Sequence, residues 1–477
     1  MAGRRPFLPY RPLNAKRSCR TPAAKPIHIS VSRRRRDRSA THTVDDMQSD
    51  DLRDHPARRK WRPWVTYPIV TVLGLVELLL IVVVVAAAMY TPEYVIRVLR
   101  YQQSDQQDYL HHFPLRELTA SPMPYEYPIE ADDERVLEAL ASGLAPFVDG
   151  DHPDIDRVDA VEAFLADTGT QAMIVIQDGS IVYEEYYAGA ERDTMLTSFS
   201  VAKSFDSALV GIAIDEGLIG SVDDPITDYL PELAQRDDRF TRITIRDVLM
   251  MSSGLDYSAN RWALFNGDDA LTTYYTDQRE LVLEHIEVER GPGERFSYNK
   301  YHPQILGLIL ERATGTSVTE FMQTRLWDPL GMQYSGAWAL DSDGGFEKME
   351  AGLNARAIDF AKLGSLYLNR GALDGRRIVS ADWVDASTHP DTSRTGPGYY
   401  GDGFGSDVYA NGDGSYQMMW YCRLRGEDPP DFAAEGDHGQ FIYVSPAYDT
   451  VIVRLGTSYG LPSAHWMTAF HRTVEHL

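Results

Sequence analysis

The sequence predicts an α+β fold: an antiparallel sheet built from both ends of the body, flanked by helices, with an inserted and mostly helical lobe, the whole preceded by one transmembrane helix. Three observations carry this expectation. Two β-rich runs meet at Asp178-Gly179, and two more meet across Pro446 to Asp449 near the C-terminus. Between them, apolar residues recur mainly at helical intervals. Sequential hairpins pair antiparallel, so strands from both ends can share one sheet around the helical middle.

Residues 1–64 read as a basic, disordered cytoplasmic tail. The first 62 residues hold 17 Lys or Arg against 6 Asp, including Arg33-Arg34-Arg35-Arg36, and show almost no apolar periodicity. The whole chain carries −24, so the remainder, with 29 basic and 64 acidic residues, is strongly acidic. An acidic body disfavours nucleic acid, and the tail lacks the interleaved aromatics that stack bases. Attraction to an anionic membrane surface is the milder reading of the tail, and no nucleic-acid partner is expected.

Residues 65–90 are apolar over more than the ~20 residues that cross a bilayer. Arg58, Arg59, Lys60 and Arg62 crowd the N-terminal flank, whereas Thr91-Pro92-Glu93 follow the span. The positive-inside tendency then makes this a single-pass protein of the cell membrane, with its N-terminus cytoplasmic and its body outside. Glu77 interrupts the span, where an ionised acid costs about 2.5–3.5 kcal/mol unless protonated or partnered. Ala86-Ala87-Ala88 resembles a signal-peptidase site, but the apolar run exceeds the ~7–15 residues of a cleaved signal, which favours an uncleaved anchor. Met47 stays open as an alternative start.

Residues 91–150 combine an amphipathic piece, Tyr94 to Arg100, with Pro114, Pro122, Pro124 and Pro128, and read as a spacer. Cys19 and Cys422 fall on opposite sides of the expected membrane, so no intrachain disulfide is expected. Apart from the adjacent pair His111-His112, nothing has metal-ligand spacing, and neither metal nor organic cofactor is expected.

Residues 151–477 form the expected catalytic body, with helices near 158–165 and 463–476 and hairpins over 171–187 and 439–455. Within Thr197 to Phe205, Ser200 and Lys203 stand three apart at the start of an apolar-striped segment, with Ala202, Phe205, Leu209 and Ile212 at helical intervals. Residues so spaced share a helix face. Ser200 in a first turn meets unpaired N–H groups and the positive end of the helix dipole. A lysine ammonium cannot accept a proton near neutrality, but burial and cationic neighbours populate the free amine, which can deprotonate a serine.

Further on come Asp223-Asp224-Pro225-Ile226, Met251-Ser252-Ser253-Gly254-Leu255 and Pro292-Gly293-Glu294-Arg295-Phe296-Ser297-Tyr298-Asn299. With these ordered motifs the chain resembles the serine beta-lactamase and penicillin-binding-protein superfamily, in its class C-like esterase and amide-hydrolase branch, from about residue 155 onward. The stretch Gly352 to Gly364 resembles the branch that contains 6-aminohexanoate-oligomer hydrolases. The resemblance implies a site in a cleft between sheet and helical lobe, with Tyr298 relaying a proton beside Lys203. Relatives often carry Asn two residues after this tyrosine, where this chain has Lys300, with Asn299 one position early. Lys300 could fill that vacancy, act on Tyr298 through its charge, or point to solvent.

The third element of the resemblance is Asp437-His438-Gly439-Gln440. It implies an oxyanion hole from the N–H groups of Ser200 and Gln440, with Gly439 admitting substrate backbone closely. His438 either bonds substrate or Tyr298 or is structural, and Trp338 either walls an acyl pocket or is core. Penicillin-recognising relatives usually carry Lys at the place of Asp437, whose carboxylate would repel the drug's. The chain is therefore expected to be a membrane-anchored serine hydrolase that acts on a small-molecule ester or amide through an acyl-enzyme on Ser200. The alternatives are a catalytically silent sensor or scaffold of the same fold, and a true beta-lactamase or D-amino-acid peptidase. The oligomeric state is not legible.

Overall fold

Asp178 and Gly179 both take positive φ, 51° and 77°, which suits the two-residue turn that joins β2 (Thr170–Gln177) to β3 (Ser180–Tyr186). The structure, a computed structural model, describes residues 63–102, 109–148, 158–258, 265, 267–394, 397–400, 414–423 and 429–477. It divides into two units, residues 1–69 and 70–477. Of the first unit, the described residues 63–69 are helical, and the expected basic tail otherwise lies outside the described residues.

The remaining strands follow in chain order: β1 (Leu115–Leu118), β4 (Leu196–Thr197), β5 (Gly336–Ala339), β6 (Leu353–Ala355), β7 (Ala372–Leu373), β8 (Arg376–Arg377), β9 (Gly414–Gln417), β10 (Trp420–Arg423), β11 (Phe432–Gly436), β12 (Gln440–Ser445) and β13 (Thr450–Gly456). Seven strands make one antiparallel sheet in the order β3-β2-β13-β12-β11-β10-β9. The β13–β2 pairing, Thr450 opposite Gln177 through Leu455 opposite Ala172, joins the two expected hairpins. A second sheet has the order β1-β5-β6-β4, and β7 pairs with β8.

The pleat of β2 divides its side chains between two cores. Ala172, Ile174 and Ile176 join the large core with Phe205, Leu209 and Ile212 of the Ala202–Asp215 helix. Met173 and Val175 point the other way, toward Leu140 of the Asp133–Leu144 helix, Phe164 of the Val158–Asp167 helix and Trp466 and Phe470 of the Ser463–Val474 helix. Central strands buried on both faces read as continuous apolar runs, which is how β2, β12 and β13 look in sequence.

The Pro63–Met89 helix is 27 residues long, about 40 Å at 1.5 Å per residue, and is long and apolar enough to cross a membrane. Val72, Leu73, Leu75, Val76, Leu78 to Val82, Val84 and Val85 are exposed or nearly so, while Ala86 is buried against the large core.

The expected spacer over residues 91–150 is corrected here, because much of it packs as part of the body. Thr91 caps the Pro92–Tyr101 helix, and Tyr94, Val95 and Val98 bury one face of it, with Tyr94 Oη donating to the Phe265 carbonyl at 2.7 Å. β1 pairs with β5, Leu115 opposite Ala339, and the Asp133–Leu144 helix covers one face of the large sheet. Pro114, Pro122, Pro124 and Pro128 fall in the irregular stretches between these elements.

Candidate active site

The segment before Ser200 is anchored from behind. Leu196 and Thr197 pair with Ala355 and Asn354, Thr197 Oγ1 donates to Asn354 Oδ1 at 2.9 Å, and Ser198 N donates to the Leu353 carbonyl at 2.9 Å. Phe199 then takes a positive φ of 44°, rare for a bulky residue and tolerated where surrounding packing holds it. Ser200 sits in the 3₁₀ turn Phe199–Val201, directly before the helix Ala202–Asp215 that the apolar spacing predicts.

Ser200 and Lys203 meet as that spacing requires, with Lys203 Nζ 2.9 Å from Ser200 Oγ. The lysine is almost fully buried, and its Nζ also donates to the Glu350 carbonyl at 2.6 Å. The same nitrogen lies 5.2 Å from the Tyr298 ring centroid, so the serine hydroxyl and the tyrosine ring both stand beside the lysine amine. Tyr298 is half-buried, its ring set edge-on to Tyr416 at 6.4 Å. Its segment is pinned where Ser297 N donates to the Met251 carbonyl at 2.7 Å, within the Met251 to Leu255 motif.

The two residues after Tyr298 have other duties. Asn299 is buried, its Oδ1 accepting from Tyr301 N at 2.8 Å at the start of the Tyr301–Thr314 helix, while its Nδ2 has no partner among the described residues. Lys300 Nζ is 3.0 Å from Asp269 Oδ1. Asp269 also accepts from Tyr257 Oη at 2.6 Å, so an ion pair takes the lysine that was expected either at the site or in solvent.

Asp437 to Gln440 lies beside this centre. The His438 ring stacks on Phe199, one residue before the candidate nucleophile, at 4.9 Å and 24°. Its backbone is left-handed, with φ 62°, and its N donates to Asp437 Oδ1 at 2.9 Å. Gly439 also has positive φ, 78°, and a Cβ there would come within 2.1 Å of Arg454 Nη1, which donates to the Gly439 carbonyl at 2.6 Å. A buried arginine of the fold thus gives this position its own reason to be glycine. Burial lowers the Arg454 guanidinium to about 9. Arg454 is held by Thr170 Oγ1 and by the Thr168 and Ser458 carbonyls.

The Gln440 side chain is likewise a clamp. Its Nε2 donates to the carbonyls of Gly456 at 2.6 Å and Asp437 at 3.0 Å, and its Oε1 accepts from Gly456 N at 3.0 Å. Trp338 lies fully buried in β5 with Nε1 donating to the Lys348 carbonyl at 3.1 Å, so it belongs to the core and not to an acyl-pocket wall. No group of His, Cys, Asp or Glu fit to hold a metal occurs among the described residues, His111 and His112 included. Cys422 is a buried free thiol, its ionisation suppressed by burial.

Two groups at the site escape motif reading. The Glu350 carbonyl touches the lysine through the backbone, which no residue type announces. Asp206 is one turn beyond Lys203, fully buried, with neither carboxyl oxygen partnered among the described residues. Burial pushes its carboxyl well above the usual range, Lys203 opposes that shift, and Glu350 adds to it. Extending the three-residue spacing from Ser200 and Lys203 would have reached it.

The Beta-lactamase family model matches residues 158–465. The 6-aminohexanoate-dimer hydrolase of Paenarthrobacter ureafaciens is 30% identical over 325 residues, covering 65% of this chain and 78% of that protein. Esterase EstB of Burkholderia gladioli is 28% identical over 181 residues, 34% of this chain and 45% of the esterase. Among solved structures, a putative 6-aminohexanoate-dimer hydrolase from Bacillus anthracis superposes with a TM-score of 0.61 at 21% identity, over 77% of this chain and 91% of that one, and shows the common fold. With a matched region that contains the Ser200–Lys203 helix, Tyr298 and the Asp437–Gln440 strand end, the chain belongs to the beta-lactamase family, whose relatives here are hydrolases of the amidase and esterase kind.

Proposed function

We propose that this chain is a membrane-anchored serine hydrolase that forms an acyl-enzyme on Ser200 with an ester or amide. The observation that carries this reading is the 2.9 Å approach of Lys203 Nζ to Ser200 Oγ beside the Tyr298 ring. Ser200 Oγ attacks the substrate carbonyl while its proton passes to the free amine of Lys203. Tyr298, adjacent to that amine, passes a proton to the leaving alkoxide or amine, so the C–O or C–N bond breaks with charge neutralised. Water then enters, gives its proton to the same pair, and releases the acid. The N–H groups of Ser200 and Gln440 are the proposed oxyanion donors.

The Pro63–Met89 helix supports an anchor, and the arginines before it support a cytoplasmic N-terminus with the hydrolase body outside. Asp437, with its side chain 42% exposed beside the site, favours esters or amides over beta-lactams that carry a carboxylate. The test is to purify the full chain in detergent and offer it a p-nitrophenyl ester, a short linear amide, nitrocefin and a fluorophosphonate probe. Ester or amide turnover with probe labelling, both lost in Ser200→Ala, is the expected result. Labelling without turnover would make the protein a sensor, neither would make it a scaffold, and faster nitrocefin hydrolysis would make it a beta-lactamase.

A further inference from the structure

Behind Lys203 lies a second set of buried charges that the proton transfers above do not use. Glu350, whose carbonyl holds the Lys203 amine, has a side chain only 2% exposed. Its Oε1 is 2.8 Å from Lys348 Nζ, itself fully buried, and its Oε2 accepts from Gln304 Nε2 at 2.6 Å. Gln304 lies on the Tyr301–Thr314 helix, which starts three residues after Tyr298. One residue therefore touches both halves of the proton-handling set: the backbone of Glu350 holds the amine, and its side chain holds the helix that follows the phenol.

Lys348 is fastened in turn. Its Nζ donates to the Thr273 carbonyl at 2.6 Å and lies 4.6 Å from the Phe113 ring centroid, while its carbonyl accepts from Trp338 Nε1. Burial lowers the proton affinity of Lys348, and Glu350 and Asp341 oppose that, with Arg97 acting in the same direction as burial. The groups that face Lys203 are Ser200, Tyr298, Asp206 and Glu350. Asp206 acts electrostatically on Tyr416 as well. A buried ion pair is weak evidence of stability, since its desolvation offsets much of the attraction, so its place against a functional group calls for another account.

We propose that Glu350, braced by Lys348 and Gln304, is a positioning residue that fixes the Lys203 amine against Ser200 and balances the charge around it. This inference rests on Lys203 acting as the proton acceptor. In Lys348→Met the Glu350 carboxylate loses its partner and stands as a counter-charge for a protonated Lys203, so the rising limb of kcat/KM against pH moves to higher pH. In Glu350→Gln the amide can still meet Gln304, but the unpaired Lys348 ammonium repels a second ammonium, and the limb moves to lower pH. Each single variant is expected to lose about tenfold in kcat with KM nearly unchanged, the mark of misplaced chemistry rather than lost binding.

Because removing one member of a buried pair can unfold the protein, the double variant Lys348→Met/Glu350→Gln carries the decision. It removes both charges, and the expected result is a folded protein whose pH profile returns toward wild type. Opposite shifts in the singles, or restoration in the double, support the brace. An unmoved profile in every folded variant, with only thermal stability changed, overturns it and leaves a purely structural ion pair. Complete inactivity of Lys203→Met, measured in parallel on the wild-type background, keeps the role of the lysine separate from that of the brace; an active Lys203→Met would sink the role of the lysine itself.

Discussion

The start of the Ala202–Asp215 helix and the Asp437–Gln440 strand end flank the same candidate centre but use their residues oppositely. At the helix, Ser200 and Lys203 turn their side chains toward each other and the backbone serves as mount. At the strand end, the side chains are occupied elsewhere: Gln440 clamps Gly456, His438 stacks on Phe199, and Gly439 makes room for Arg454. The oxyanion donor proposed at the strand end is accordingly a main-chain group, the Gln440 N–H. Substitution should therefore abolish chemistry at the first region without harming the fold, and harm the fold at the second with chemistry following.

The largest expected effect is that of Ser200→Ala, a loss on the order of 10⁴-fold in kcat with an unchanged melting temperature. Residual turnover within tenfold of wild type would end the contrast at once. Gly439→Ala is expected to cost on the order of 1–3 kcal/mol, since the residue sits at φ 78° and its new Cβ would collide with Arg454. Urea unfolding measures it, and a neutral result would mean that Arg454 gives way. Gln440→Leu removes a clamp whose polar partners stay buried, at about 1–2 kcal/mol. Its activity should fall only in proportion to the unfolded fraction, and a larger fall in kcat would return the side chain to the chemistry.

Glu435, on β11 just before the strand end, sharpens the same contrast through pH. Burial pushes its carboxyl from the ordinary 4.5 up to about 7, although Ser463 Oγ donates to it and opposes the shift. Between those values the folded protein keeps a proton that the unfolded chain releases, so stability falls as pH rises through the window. Glu435→Gln is expected to raise the melting temperature at pH 8 and to make little difference at pH 4. Equal gains at both values would remove the carboxyl as the cause.

The same division explains what could be read from the residues alone. Side-chain chemistry at fixed spacing is written in the chain, so the pairing of Ser200 with Lys203 is legible from spacing and Tyr298 becomes a candidate through the resemblance of its motif, while the hairpins at Asp178-Gly179 and Pro446 to Asp449 are legible where turn residues punctuate β-rich runs. Backbone duties leave no such mark. The Glu350 carbonyl has no residue signature, and β1 is four residues whose exposure alternates weakly, made a strand by β5 alone. The 91–150 stretch reads as a spacer because a short amphipathic piece is followed by Pro114, Pro122, Pro124 and Pro128. Only tertiary partners such as Phe265 for Tyr94 disclose that one helix face is buried. Lys300 belongs to the same class, since the partner that decides its role, Asp269, stands 31 residues away.

Lys300 also supplies the smallest effect and the finest test of where the chemistry ends. It follows Tyr298 by two residues, yet its ammonium is spent on Asp269 in a partly exposed pair, with side-chain exposures of 30% and 24%. Pairs of that kind contribute about 0.2–1 kcal/mol and weaken with salt. Lys300→Met is expected to lower stability by that amount and to leave kcat, KM and the pH profile within about twofold of wild type. If instead the pH profile moves while stability holds, the charge of Lys300 reaches Tyr298 across the ion pair, and the catalytic set extends two residues farther along the Tyr298 segment than its contacts indicate.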